Sequence, residues 1–261
     1  MGEHPGTWYN AFEGLLPESL RHLINPQVMA SWTVMLFLII AVLVGTRRMK
    51  QVPRGWQNLW EWTYEVFRTF ATGVMGPVGE KYMPFLACCF IYIFCSNLFG
   101  ILPGFLSPTS SINMTAALAL TVFVYVQYSG LRAHGLGYFK HFVGDPPAMF
   151  LLNIPIHVIG ELAKPLSLSI RLFGNIFGEE TVVAQLAHMG AQIQQAIYVP
   201  IPIHLVMVAF AIFGGFIQAL IFTMLTAVYI SMAVADEHPH AEEPSHGADA
   251  APVEEPAQAS A

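Results

Sequence analysis

One segment of this chain carries ionisable side chains among long apolar runs in which charges are otherwise missing. These side chains are Glu161, Lys164, Arg171, Glu179 and Glu180. A charge at the centre of a bilayer costs about 3 kcal/mol on insertion scales, so an ionisable residue there indicates a functional site. Arg171 is the most informative of the five, because a guanidinium stays charged at every relevant pH. Its placement favours the movement of ions across a membrane.

The residues around Arg171 indicate a close approach by another group. On a helix, Arg171 shares a face with Asn175, one turn further on, and it lies near Gly174 and Gly178. Small residues beside a cation indicate that another helix or a mobile ligand comes close. The alternative is a permanent ion pair within the chain. Glu180 is more than two turns away from Arg171, however, and Glu161 comes within reach only if the segment folds back.

The carboxylates of this segment have two interpretations each. Glu179 and Glu180 are adjacent and lie on the outer side of Arg171, and two such groups in apolar surroundings cannot both ionise cheaply, which suits a role in passing protons. The alternative is a solvated helix end, which fits Glu179 better than Glu180. Glu161 and Lys164 are spaced to neutralise each other, the reading we prefer for Lys164, whereas for Glu161 a role in the ion path stays open.

Two further polar positions are ambiguous. Gln218 is the polar residue nearest the middle of the last apolar run and can face Arg171 across an antiparallel helix pair, although an amide is also common as a hydrogen bond between helices. His157 and Glu161 weakly suggest an intramembrane hydrolase. They lack a second zinc-type histidine or a nucleophile pair, so we expect no metal site and no cofactor.

Composition shows which elements must position these residues. The 261 residues are 55% apolar and only 11% charged, whereas soluble domains are about 25% charged. No charge occurs between Gln27 and Arg47, between Lys81 and Arg132, or between Glu180 and Asp236, and each run exceeds the roughly 18 residues of a transmembrane helix. We expect an outer N-terminal segment at 1–27, a membrane domain at 28–235 and a disordered acidic tail at 236–261.

The fold class predicted is all-α, a polytopic membrane protein with five to six helices. A first span is expected at 28–46, and a membrane hairpin at 83–102 and 112–131 around a turn with Pro103, Gly104 and Pro108. Segments 146–189 and 198–235 would run about 66 and 57 Å as helices, far beyond the bilayer core. They must either tilt strongly or break, with Pro155, Pro165 and Gly214-Gly215 as the candidate breaks.

The residues between the first span and the hairpin indicate orientation. Segment 55–70 is amphipathic, and it is either an interfacial helix or a helix packed on neighbouring spans. The basic cluster Arg47, Arg48, Lys50 and Arg54 precedes it. The positive-inside rule makes this cluster cytoplasmic, which places the N terminus outside and the acidic C-terminal tail inside.

A resemblance to a known family rests on the segment that carries the charges. Residues 161–180, ELAKPLSLSIRLFGNIFGEE, closely resemble the signature of subunit a of F-type ATP synthases. Shorter resembling strings lie between residues 52 and 233, and they are most similar to the bacterial and chloroplast branch. Two positions depart from patterns of the family. Ala211 and Gly214 occupy positions where some members have a histidine, and Ser111 occupies one where an aspartate is common.

The resemblance implies a non-catalytic proton-channel stator subunit of a bacterial inner membrane. It implies that Arg171 faces the carboxylate of each passing c-ring subunit between two offset half-channels, and that Glu180, Gln218 and Asn175 line the path, with Glu179 and Glu161 as further candidates. The implied partners are the c-ring, the peripheral-stalk subunit b, the rest of the synthase and membrane lipid, without nucleic acid. The rival hypothesis is a self-contained secondary ion antiporter that uses Glu161 and Arg171 without a ring.

Overall fold

A computed structural model describes residues 25–47, 55–102, 104–135, 150–197 and 203–235. The predicted outer segment and acidic tail lie outside these residues, apart from Asn25, Pro26 and Gln27. Within them all regular structure is helical, which confirms the all-α prediction. The helices are α1 (Pro26–Thr46), α2 (Trp56–Met75), α3 (Gly79–Ile101), α4 (Ile112–His134), α5 (Phe150–Ile197) and α6 (Ile203–Val234).

Four helical segments of the described residues are long and apolar enough to cross a membrane: Pro26–Thr46, Gln57–Ile101, Ile112–His134 and Val208–Val234. Helix α5, which carries the ionisable side chains, is not among them. The protein is therefore a multi-pass membrane protein in which one long helix differs from the others by its polar and charged residues.

The predicted hairpin is present as α3 and α4. Its turn contains Gly104, whose φ of 89° lies in the left-handed region that glycine adopts without steric cost, and a short 3-10 helix at Pro108–Ser110. Helix α3 begins at Gly79, four residues before the predicted start at Met83. Glu80 and Lys81 are thus helical although they lie outside the apolar run, since hydropathy marks the membrane-crossing length and not the ends of a helix.

Helix α2 packs on α3 and α6, as one of the two alternatives for the amphipathic segment predicts. Phe67 and Ala71 are buried against the core, whereas Leu59, Trp62 and Tyr64 are about half exposed. The exposed aromatic side chains stand beside charged ones, a composition typical of the headgroup region of a bilayer. The predicted apolar stripe therefore only partly faces the protein.

The long helices α5 and α6 are continuous, so of the two alternatives, a break or a tilt, the structure excludes the break. Helix α5 has 48 residues, or about 72 Å, and contains Pro155 and Pro165. It extends eight residues beyond the predicted end at Met189. A proline removes one backbone hydrogen bond, which local adjustments can compensate, and it bends a helix without having to end it. Helix α6 likewise passes through Gly214-Gly215 without interruption.

The core lies where α2 to α6 meet. Each contributes apolar residues: Ala71 from α2, Leu86 and Ile93 from α3, Val122 from α4, Leu172 from α5, and Phe222 and Ile230 from α6. Helix α1 stands at the side of this core and is attached through a hydrogen bond of 2.7 Å between Ser31 Oγ and Tyr92 Oη of α3. Of its residues only Ala30, Ser31 and Val34 are buried.

Candidate functional site

Arg171 is exposed on α5 beside the buried Leu172. It forms no ion pair or hydrogen bond in the described part of the chain. The alternative of a fixed intrachain ion pair is therefore not what the structure contains. Because α5 is a continuous helix, Glu161 stays ten residues away along the axis and cannot fold back toward the guanidinium.

A stripe of small residues runs along α5 with Arg171 within it. Gly160, Ala163, Ser167, Gly174 and Gly178 are exposed, and together with Arg171 they are spaced by three or four residues, so that they share one side of the helix. At each of the three glycines, an added methyl group would meet no other atom within 4 Å. We call this surface the small-residue stripe. Nothing within the described chain explains why it contains glycine.

The glycines elsewhere in the fold behave differently. An added Cβ at Gly45 would overlap the Trp60 ring, one at Gly79 would stand 2.3 Å from the Ala71 carbonyl oxygen, and one at Gly215 would stand 2.9 Å from Asn97 Cβ. At these positions glycine permits close contact between elements of the same chain. A glycine inside a helix costs about 0.5–1 kcal/mol relative to alanine, and on the stripe no intrachain contact offsets that cost.

The register of α5 against α6 follows from two contacts. Lys164 Nζ lies over the ring of Tyr229 at 5.6 Å, and Glu179 Oε2 lies 3.4 Å from the Cβ position of Gly214. Fifteen residues forward along α5 thus correspond to fifteen residues back along α6. In this register Gln218 is level with Asn175, one turn from Arg171.

Gln218 makes no hydrogen bond with Arg171. Its side chain is buried, with 4% exposure, and its Nε2 has no hydrogen-bond partner among the described residues. Arg171 and Asn175 are exposed instead. A buried donor without a partner costs about 1–3 kcal/mol, so Gln218 is a polar group that the fold keeps one turn from the arginine at a cost to stability.

Glu179 and Glu180 line a cavity of about 110 Å³. Its other lining residues come from α3, the turn after it, α5 and α6, and they are Asn97, Gly100, Ile101, Ser107, Ile176, Val183, Val208 and Ala211. The volume accommodates several water molecules beside polar groups. Glu179 does not lie at a helix end, which was the alternative interpretation, because α5 continues to Ile197, and the side chain is half-buried against α6.

Asn97 and its neighbours build one wall of this cavity, a role that the sequence reasoning missed. Asn97 Nδ2 donates to the Gly215 carbonyl at 3.2 Å, and Asn97 Oδ1 accepts from Thr109 Oγ1 at 3.1 Å. Ser107 Oγ lies 2.8 Å from Thr109 Oγ1. The available signal was a polar pair, Ser96-Asn97, near the end of an apolar run.

The predicted Glu161–Lys164 ion pair is confirmed. Lys164 donates to Oε1 of Glu161, and Gln127 Nε2 of α4 donates to Oε2 at 2.9 Å. With Tyr229 of α6 under the ammonium, these four residues bring three helices together. We call them the three-helix cluster. Both carboxylate oxygens of Glu161 are engaged within the chain, and its assignment to the ion path stays a prediction.

The metal chemistry of the hydrolase alternative has no site in the described residues. Among them, no three histidine, cysteine, aspartate or glutamate side chains are grouped so that they could hold a metal ion. Cys88, Cys89 and Cys95 are free thiols, and Cys89 belongs to the core.

Comparison with known proteins gives a consistent result. The family described as ATP synthase A chain matches residues 28–231. The chain is 39% identical over 227 residues to ATP synthase subunit a 1 of Syntrophotalea carbinolica, which covers 87% of this chain and 93% of the relative. It is 37% identical to ATP synthase subunit a of Desulfosudis oleivorans, over 91% of this chain and 100% of the relative. For the protein of that name from Moorella thermoacetica the identity is 39%, with 82% and 95% covered.

Proposed function

Because this chain belongs to the ATP synthase A chain family, and is thus a membrane subunit of that complex, we propose that it is the stator subunit through which protons reach and leave a ring of c subunits. The single observation that carries this proposal is Arg171, an exposed arginine without a partner among the described residues, within a stripe of unpacked glycines. A cation on such a surface suits a partner helix that carries a carboxylate and approaches to backbone distance.

Electrostatics explains what Arg171 does to that carboxylate. Opposite charges 4 Å apart attract by about 4 kcal/mol at an effective dielectric constant of 20, which corresponds to a factor of nearly a thousand in proton affinity. A ring carboxylate that arrives at Arg171 therefore releases its proton. The arginine itself cannot release one, so it also blocks a direct leak between the two sides of the membrane.

Protons reach the arginine through two offset half-channels in this proposal. The cavity beside Glu179 and Glu180 supports an aqueous path on the outer side, because it combines carboxylates with space for water. Gln218 and Asn175, level with each other, would then offer amide groups between that cavity and Arg171. A membrane potential supplies about 2.3 kcal/mol per charge per 100 mV to drive the transfer.

The orientation and the partners belong to the same proposal. The N terminus lies outside and the C-terminal tail in the cytoplasm of a bacterial inner membrane, since the basic residues from Arg47 to Arg54 favour the cytoplasmic side. The ring contacts the small-residue stripe, and the peripheral-stalk subunit b holds the stator against rotation. The chain performs no nucleotide chemistry itself, and other subunits of the synthase make ATP.

The test is R171A in the intact synthase. Membrane vesicles with this variant should make no ATP in response to an imposed proton gradient, because no fixed cation remains to discharge the ring carboxylate. A matched control is R68A, which removes an exposed arginine paired with Glu80 at 3.0 Å and should change synthesis little, as such surface pairs contribute about 0–1 kcal/mol. Normal synthesis by assembled R171A complexes would overturn the proposal.

A further inference from the structure

Helix α5 carries one lysine and one arginine, and their surroundings in the fold differ. Arg171 is exposed and has no partner in the described chain, whereas the Lys164 side chain is only 25% exposed and is paired with Glu161. The two residues are seven positions apart, about 10 Å along the helix, and nearly on the same side of it. An unneutralised Lys164 would thus be a second cation within reach of any carboxylate that moves along the stripe.

The three-helix cluster holds Lys164 away from that surface. Glu161 accepts from Lys164 with one oxygen and from Gln127 of α4 with the other, so the carboxylate cannot rotate without losing a bond. Tyr229 of α6 lies 5.6 Å from the ammonium and holds it against α6. A second polar contact between α4 and α5, at 3.3 Å between Thr115 Oγ1 and Ser169 Oγ, fixes the rotation of α5 between the cluster and Arg171.

We propose that Glu161 is a positioning residue, which neutralises Lys164 and ties α5 to α4 so that Arg171 is the single uncompensated cation offered to the partner surface. This inference deepens the proposed function and rests on it. It differs from the assignment of Glu161 to the ion path, because here the carboxylate stays ionised and paired throughout. The role is electrostatic as well as structural. Neutralising both Glu161 and Lys164 should therefore restore the activity that is lost when only one of them is neutralised.

The test is a double-mutant cycle in the intact synthase. E161Q leaves the Lys164 ammonium without a counter-ion, and K164Q leaves the Glu161 carboxylate without one. Each single variant should lower ATP-driven proton pumping and ATP synthesis by more than about tenfold, as expected when one partner of a largely buried ion pair is lost. The E161Q/K164Q variant has no uncompensated charge and should recover to within about threefold of the unaltered chain.

Q127L is the companion variant, because it removes the contact with α4 and leaves the ion pair in place. It should lower the rates less than E161Q does. The amount of assembled synthase in each membrane preparation, measured by immunoblotting of the isolated complex, separates loss of assembly from loss of transport. Recovery of assembly and activity together in the double variant supports the proposal even where a single variant fails to assemble.

Three outcomes would overturn it. One is a double variant as inactive as E161Q, which would mean that the carboxylate itself carries protons. The second is a double variant that does not assemble, since a neutral pair that can still form a hydrogen bond should restore packing. The third is E161Q with unaltered rates. R171A measured in parallel tells the two proposals apart. ATP synthesis by R171A contradicts the proposed function. An inactive R171A, together with a double variant that does not recover, contradicts only the role of Glu161.

Discussion

At the residue scale, the side chains of α5 divide into those whose charge is satisfied inside the chain and those whose charge is not. Glu161 and Lys164 satisfy each other, whereas Arg171 has no counter-ion in the described residues. An unpaired cation in apolar surroundings is costly, and it persists where binding of a partner repays the cost. The pair was predictable from its spacing along one helix. Gln127, 34 residues away from Glu161, was not.

The two carboxylates of the outer cavity make a residue-scale prediction. Because Glu179 and Glu180 both line the cavity, each offers a site where a proton can rest on its way to Arg171. E179Q and E180Q should each slow proton flux through the synthase, and E179Q/E180Q should slow it by more than about a hundredfold, since no carboxylate of α5 would then remain there. Flux is measured from the decay of an imposed pH gradient in vesicles that contain assembled complexes.

An unaltered rate in the double variant would show that protons bypass this cavity. A useful control is E65Q on α2, which removes an exposed carboxylate remote in sequence from the cavity. It should leave the flux unchanged.

At the element scale, the difference between glycines that pack and glycines that do not shows which helix faces are completed by a partner. Gly45, Gly79 and Gly215 are filled by neighbours within the chain. Gly160, Gly174 and Gly178 are not, and because they recur on one side of α5 together with Arg171, close approach remains available along this stripe. The exposed apolar side chains of α1 are not accompanied by unpacked glycines, and contact with lipid is enough to explain their exposure.

A bulky residue on the stripe tests this distinction. G178L should leave the fold of the chain intact, because an added Cβ there meets nothing within 4 Å, yet it should lower ATP synthesis more than about tenfold by separating α5 from a ring helix. G73L is the matched control, since Gly73 is a helical glycine of α2 with equally empty surroundings. ATP synthesis is measured in vesicles, normalised to the amount of subunit present.

ATP synthesis by G178L at the rate of the unaltered chain would contradict a partner on the stripe. An equal loss in G178L and G73L would contradict it too, because the loss would then come from reduced helix stability and not from the position of the leucine.

The elements themselves were largely predictable, and their continuity was not. Uncharged runs of sufficient length located α1, α3, α4 and α6, since lipid requires backbone hydrogen bonds to be satisfied within a helix. Gly214-Gly215 resembled a break because local propensity says nothing about Asn97, which lies 118 residues earlier and packs against that position. The end of α5 was missed for a related reason, because its last turns are no longer purely apolar.

At the scale of the whole molecule, α5 shares the core with the segments long and apolar enough to cross a membrane, and specific polar contacts add to that packing. The contacts lie on its α4 and α6 sides, and the stripe with Arg171 lies on another. The molecule is thus asymmetric about α5, with one face completed by its own helices. The cavity and the three-helix cluster lie on either side of Arg171 along the helix.

The orientation proposed for the chain gives a whole-molecule prediction. In a C88A/C89A/C95A background, T7C should react with a membrane-impermeant maleimide added to the outside of right-side-out vesicles, and S245C should react only in inverted vesicles. The reason is the positive-inside rule applied to the basic residues after α1. Labelling of S245C from the outside, with T7C protected, would reverse the proposed orientation and the sides of the two half-channels.

The unbroken course of α5 has a mechanical consequence. A partner that pulls on Arg171 as it passes exerts a drag along a rod of about 72 Å, and a helix broken at Pro155 or Pro165 would yield at that joint. A continuous helix instead transmits the strain to the contacts that hold it to its neighbours. These are the contacts with Gln127 and Tyr229 on one side of Arg171 and the contact of Glu179 with Gly214 on the other. Under the proposed function, the stiffness of this one helix would set how much of the force at Arg171 is transmitted to the ring and how much is lost as bending.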